Sequence, residues 1–394
     1  MVISYWEPGR RNFAQIRRLL KPYPVGSPPR LILHYANYHA VGESGPGCHG
    51  IRSPVVVTTY RDSLLWILDR LTTPPVGLAL PPLPTPVFIF EPAEYRGASD
   101  PFTGPYMGQL MIGLPCRTGA SERSLELDDA ATAAVHEMCH VVCFNQPGMR
   151  GNVDRGWRWI AEGTAVWAET LLGSDPSASR HSKEYLFYAL NWCDRPEVPL
   201  DSEYGMYQAF LFVRYLVSRF GGDAFVGNLW RAARVGEDPW NAIQNLTGQT
   251  TDDLFAEYSA EAYLLNDPAS PCYSPEVFSR FGPRALTSSV IAVRTAETPI
   301  HGSVWGLGCR YYRVDVPVPS SLDIECAGDE WGIDVTLVAG AATASYQRVA
   351  QVSHQRKPGT LAIPLTPIAD HIWLTVCGKA GRRDTDFSLV VTAR

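Results

Sequence analysis

Charge is scarce in this chain: only 19% of its 394 residues are charged, and Lys supplies four of them against 30 Arg. The 34 basic residues are outnumbered by 40 acidic ones, a formal net charge of -6, and no basic run is longer than a pair. Phosphate neutralisation needs a concentrated basic face, so nucleic acid is not expected as a partner. No stretch approaches the roughly 20 apolar residues of a membrane helix, and no membrane span is expected. The nine Cys include no CxxC pair, which excludes a zinc ribbon or a thioredoxin-type motif. Nine is odd, so at least one thiol remains in a monomer; scattered cysteines fit a few disulfides in an exported protein or buried thiols in a cytosolic one. Residues 1–11, MVISYWEPGRR, show no apolar signal core before their charges begin. Internal repeats and low-complexity tracts are also missing.

What is present is material for a core. Apolar residues make up 45% of 43.5 kDa, enough for two folded units. Gly and Pro mark the joints: residues 21–30 (KPYPVGSPPR) and 74–86 (PPVGLALPPLPTP) read as turns or connectors. Short β-branched and aromatic runs predict strands over 30–38, 54–60 (PVVVTTY), 87–90 and 106–114 (YMGQLMIGL), while 62–71 (DSLLWILDRL) has helical spacing. The middle is helical. Asp128 or Asp129 caps a helix through AATAAVHEMCHVVCF, and further helices are predicted over 157–172, 204–220, 224–234 and 252–265. From about 285 the texture changes to strand-length runs over 310–316, 322–326, 333–339, 346–352, 360–365, 371–377 and 387–393, the pattern of an all-β sandwich.

Inside the first of these helices lies His136-Glu137-Met138-Cys139-His140, an HExxH motif. Four residues make about one helical turn, so both imidazoles leave one face and can grip one metal, with Glu137 about 100° around the axis beside them. With nine His and nineteen Glu in the chain, chance would produce the motif about 0.01 times. Glu162 follows 22 residues after His140 in the tryptophan-rich helix WRWIAEGTAVWAE. Two His and a Glu with an open fourth position are a standard catalytic zinc set. Cys139 and Cys143 share the helix but sit three positions beyond each histidine, off the gripping face, and are read as small buried residues.

HEMCH followed by W-x-x-E-G-x-A resembles the gluzincin zinc metallopeptidases, the group containing thermolysin and bacterial collagenases, and more closely bacterial exported metalloproteases. The resemblance implies an α+β peptidase domain over residues 1–283, with a mixed sheet above and helices below, and a jelly-roll-like β-sandwich over 284–394. It implies one catalytic Zn²⁺ on His136, His140 and Glu162, with Glu137 as general base. It also makes Tyr207, at the start of YQAFLFVRYL, the oxyanion donor, with Tyr204 as the nearby alternative. Thermolysin-like enzymes carry a carboxylate one turn after the third ligand. Here Ala165 and Val166 stand there, and Glu169 is the nearest acid on that face, a candidate to orient a ligand histidine. The implied reaction is endopeptidase hydrolysis of a protein or peptide bound along a free sheet edge, for which 106–114 is the expected strand. The implied location is extracellular, with the sandwich available to bind a surface or matrix. Two other readings keep the zinc: a non-catalytic adhesion protein braced by the metal, and an amidohydrolase acting on a non-peptide substrate.

Overall fold

The computed structural model describes residues 21–35, 54–90, 102–106, 109–115, 124–152, 154–174, 185–262, 289–292, 298–315, 321–328, 333–340, 346–353, 359–364, 371–381 and 384–393. They belong to two compact units, residues 1–183 with 223–242 and residues 184–222 with 243–394. The boundary expected at 283/284 lies outside the described residues.

The first unit contains a five-stranded mixed sheet of order β1-β2-β3-β5-β4, made of β1 (Lys21–Val25), β2 (Leu31–Tyr35), β3 (Thr85–Phe90), β4 (Phe102–Tyr106) and β5 (Gln109–Pro115). The central β2, β3 and β5 are parallel, and the edge strands β1 and β4 run antiparallel to their neighbours. Val87, Phe88 and Ile89 of β3 and Leu110 to Leu114 of β5 are buried on both faces, as central parallel strands require. The KPYPV segment expected as a connector is β1: an edge strand needs ladder bonds on one side only, so Pro22 and Pro24 are tolerated. The run 106–114 is two strands. Only Tyr106 belongs to edge strand β4, and β5 is flanked on both sides.

Residues 54–60, expected as a strand, instead open helix α1 (Pro54–Thr72). Pro54 occupies the first helical position, where its missing N–H is not needed. Leu64, Ile67, Leu68 and Leu71 follow at helical spacing and are fully buried, which carries the helix back through the β-branched run. α1 packs on α2 (Ser124–Phe144); α2 in turn lies against β4, β5 and α3 (Arg158–Ser174).

Residues 223–242 complete this unit with α6 (Ala224–Ala232). Contact is at backbone distance: a Cβ on Gly227 would fall 1.9 Å from the Val76 carbonyl oxygen, and one on Gly148 1.8 Å from that of Ala233. Arg231 Nη1 donates to the carbonyls of Val76 (3.1 Å) and Gly77 (2.8 Å). Trp157 Nε1 donates to Glu237 O at 2.8 Å, and Trp159 stacks on Trp240 at 5.0 Å.

The second unit joins helices to two sheets. The helices are α4 (Tyr185–Asp194), α5 (Phe210–Arg219) and α8 (Thr251–Ala262), while α7 (Pro239–Thr247) spans both units. One sheet has the order β11-β10-β13-β8-β6 and the other β12-β9-β14-β7. Their strands are β6 (Ser289–Ala292), β7 (Thr298–Trp305), β8 (Cys309–Asp315), β9 (Ser321–Gly328), β10 (Ile333–Gly340), β11 (Tyr346–Ser353), β12 (Gly359–Pro364), β13 (His371–Gly378) and β14 (Asp384–Ala393). Tyr312 of β8 meets Phe387 of β14 edge-on at 6.1 Å, so the inner faces of the two sheets share a core. The opposite face of β8 and β13 is covered by helix: Tyr311 Oη donates to Ser259 O, and Ala380 N to Asp252 Oδ1 at 2.9 Å. Burial pushes the Cys309 thiol in this layer up to about 12.

Replacing a glycine by alanine in an exposed helix stabilises by about 1 kcal/mol. At Gly227 the Val76 carbonyl reverses the sign, and Gly227→Ala is expected to destabilise by about 1–3 kcal/mol. Urea unfolding of variant beside wild type measures it; an equal or higher midpoint contradicts the close approach.

Candidate functional site

His136 and His140 lie one turn apart on α2, and α3 presents Glu162 to them. Glu162 Oε2 is 3.0 Å from His136 Nε2 and 3.4 Å from His140 Nε2. Potential ligand atoms of the three residues all fall within 4.8 Å of one another. Donor atoms around a tetrahedral zinc with bonds near 2.0–2.1 Å are about 3.3 Å apart, so the set is compatible with such an ion.

Each ring is fixed by a neighbour. Glu169, two turns beyond Glu162 on α3, accepts from His136 Nδ1 at 2.6 Å, the histidine-orienting contact expected of it. A carboxylate only accepts, so Nδ1 carries the hydrogen and Nε2 is the nitrogen left for a metal. His140 stacks on Phe144 at 5.9 Å; Phe144 meets Trp230 edge-on at 5.6 Å, and Trp230 lies 5.5 Å from Trp157.

Burial would lower the pKa of His136, but hydrogen bonds to Glu162 and Glu169 raise it well above the imidazole range. Burial would raise Glu162, yet the charge of His140 and hydrogen bonds from both imidazoles hold it well below the carboxylate range. The proton on His136 and the charge on Glu162 therefore support each other. A metal ion at the same nitrogens displaces protons when it binds.

Glu137, one residue after His136, is buried, and its burial raises the carboxyl against the opposing pull of His140, His136 and Thr103. Its Oε2 accepts from Thr103 Oγ1 at 2.7 Å, and the same hydroxyl lies 3.0 Å from the Glu137 carbonyl oxygen. Thr103 belongs to β4 and carries no signal in the sequence: it is 34 residues from its partner, in a short strand containing Gly and Pro.

Tyr207 and Tyr204 belong to the second unit. The helix expected over 204–220 begins only at Phe210, after turns over 201–209. A Cβ on Gly205 would sit 2.2 Å from the Pro199 carbonyl oxygen, so the chain is pinned there before it can wind regularly. Tyr207 is half-buried and stacks on Tyr188 at 4.9 Å; Tyr204 is 82% exposed. Cys139 and Cys143 are buried with their sulfurs 3.8 Å apart and are not members of the His-His-Glu cluster. Among the described residues no helix is long and apolar enough to cross a membrane.

Removing the acceptor from a buried donor costs about 1–3 kcal/mol. Glu169→Ala is expected to lower the stability of the metal-free protein by about that much, while Glu169→Gln, which retains an acceptor oxygen, costs less. Thermal unfolding in the presence of a chelator measures both, and equal losses from the two variants contradict the role of this bond.

Residues 124–263, which include HEMCH and Glu162, match a family of unknown function, DUF6055. No curated protein matches the sequence. Among solved structures, a periplasmic inhibitor of g-type lysozyme from Aeromonas hydrophila, PliG, aligns at 15% identity over 27% of this chain and 96% of its own, with a TM-score of 0.22. The pre-peptidase C-terminal domain of a Bacillus anthracis collagenase aligns at 22% identity over 27% of this chain and 94% of its own, with a TM-score of 0.22. A Yersinia pseudotuberculosis-derived mitogen aligns at 9% identity over 26% of this chain and 88% of its own, with a TM-score of 0.22.

Proposed function

We propose that the chain is a zinc-dependent endopeptidase of gluzincin type. The observation that carries this reading is the convergence of His136 Nε2 and His140 Nε2 on Glu162 Oε2, at 3.0 and 3.4 Å, with the Glu137 carboxylate on the next residue of the same helix. A structural zinc site has no need of a carboxylate base beside it, which favours catalysis over a brace.

His136, His140 and Glu162 would hold one Zn²⁺. That ion would polarise the scissile carbonyl and acidify water at its open position. Glu137 takes the proton of the attacking water and returns it to the leaving amine. Burial beside the imidazoles keeps this carboxylate out of bulk solvent, which strengthens its interactions with the charges around it. Glu169 holds the His136 ring throughout. An extended peptide would pair with β4, an edge strand of the mixed sheet and the strand that touches Glu137. The proposed setting is extracellular, on resemblance alone, and the β-sandwich would serve surface or matrix binding.

Metal analysis and casein hydrolysis on wild type and variants test the reading. Wild type is expected to carry one zinc and to cleave. Glu137→Gln should retain zinc and lose at least about 10²-fold in kcat, and His140→Ala should lose zinc and activity together. Wild type without zinc under metal-replete conditions contradicts the assignment. Zinc without hydrolysis of any peptide moves it to the non-peptide amidohydrolase or the braced adhesion protein.

A further inference from the structure

We propose that Thr103 is a positioning residue for Glu137, fixing which carboxylate oxygen of the base is left to take a proton. The inference deepens the zinc-hydrolase reading and rests on it. The Thr103 hydroxyl is 2.7 Å from Glu137 Oε2 and 3.0 Å from the carbonyl oxygen of the same residue.

A hydroxyl has one hydrogen to donate, and a charged acceptor holds it more strongly than a neutral carbonyl. The hydrogen therefore goes to Oε2, the nearer oxygen. Both contacts belong to Glu137, so one hydroxyl gauges the carboxylate against its own backbone. A long glutamate side chain has three rotatable bonds, and without such a tie its carboxylate would sample several positions at one helix site. With Oε2 engaged, Oε1 is the oxygen presented for proton uptake.

The location of Thr103 adds a consequence. β4 is one of the two edge strands of the sheet and lies against α2. An extended substrate pairing with β4 would dock on the strand that holds the base, and its docking would reach Glu137 through a single side chain.

Thr103→Val keeps the shape and removes the hydrogen bond; Thr103→Ser keeps the hydrogen bond. The expected result is a kcat for Thr103→Val about 10- to 100-fold below wild type, with zinc content unchanged and KM within about twofold. Thr103→Ser should return kcat to within about threefold of wild type. In a crystal structure of Thr103→Val the Glu137 carboxylate should leave its wild-type position. A Val variant within about twofold of wild type in kcat, or a Ser variant as impaired as Val, overturns the role. A wild type that lacks zinc or hydrolyses nothing contradicts the hydrolase reading instead. The variant structure then decides alone, and an unmoved Glu137 carboxylate overturns the positioning.

Discussion

Glu162 is 2% exposed, and its carboxylate sits between two imidazoles. A buried anion of this kind is strongly destabilising unless positive charge and hydrogen bonds meet it. In the protein alone, protonated His136 meets it, itself held on the other side by Glu169. A divalent cation at the same atoms would meet that need with higher charge and without the extra proton. α2 and α3 hold these groups together, with Glu137 buried beside them and Phe144 stacked behind His140.

The scaffold supports these groups from two sides. Above, the mixed sheet contributes its edge strand β4, which reaches Glu137 through Thr103. Below, the segment 223–242 returns from later in the chain and presses its backbone against Val76 and Gly148, at distances only glycine permits. Trp230, carried by that segment, stands in the aromatic series that ends on His140. A change in this segment would thus be felt at the site without touching a ligand.

The sequence made the local chemistry legible and left the tertiary chemistry hidden, for physical reasons. His136, Glu137 and His140 lie within a single helical turn, and Glu169 follows Glu162 by two turns, so their common faces follow from helical period alone. The seven strands expected after residue 310 are found close to their expected limits, because turn residues punctuate each of them. Periodicity could not separate helix from strand in PVVVTTY or identify α4 and α7, since short apolar runs satisfy both. KPYPV and FTGPY carry the prolines of a loop and are nonetheless strands, tolerated at the two edges of one sheet. Thr103 was invisible because its role exists only once β4 lies on α2. The attachment of 223–242 to the first unit was equally hidden: nothing local to Gly227 announces Val76.

The central claim is that one metal ion is held by two imidazole nitrogens and one carboxylate oxygen. X-ray absorption at the zinc edge of the purified protein tests it directly. The account predicts a first shell of nitrogen and oxygen at about 2.0–2.2 Å with imidazole outer-shell scattering and no sulfur. Sulfur at about 2.3 Å, which would bring Cys139 or another thiol into the shell, or a shell without imidazole, contradicts it.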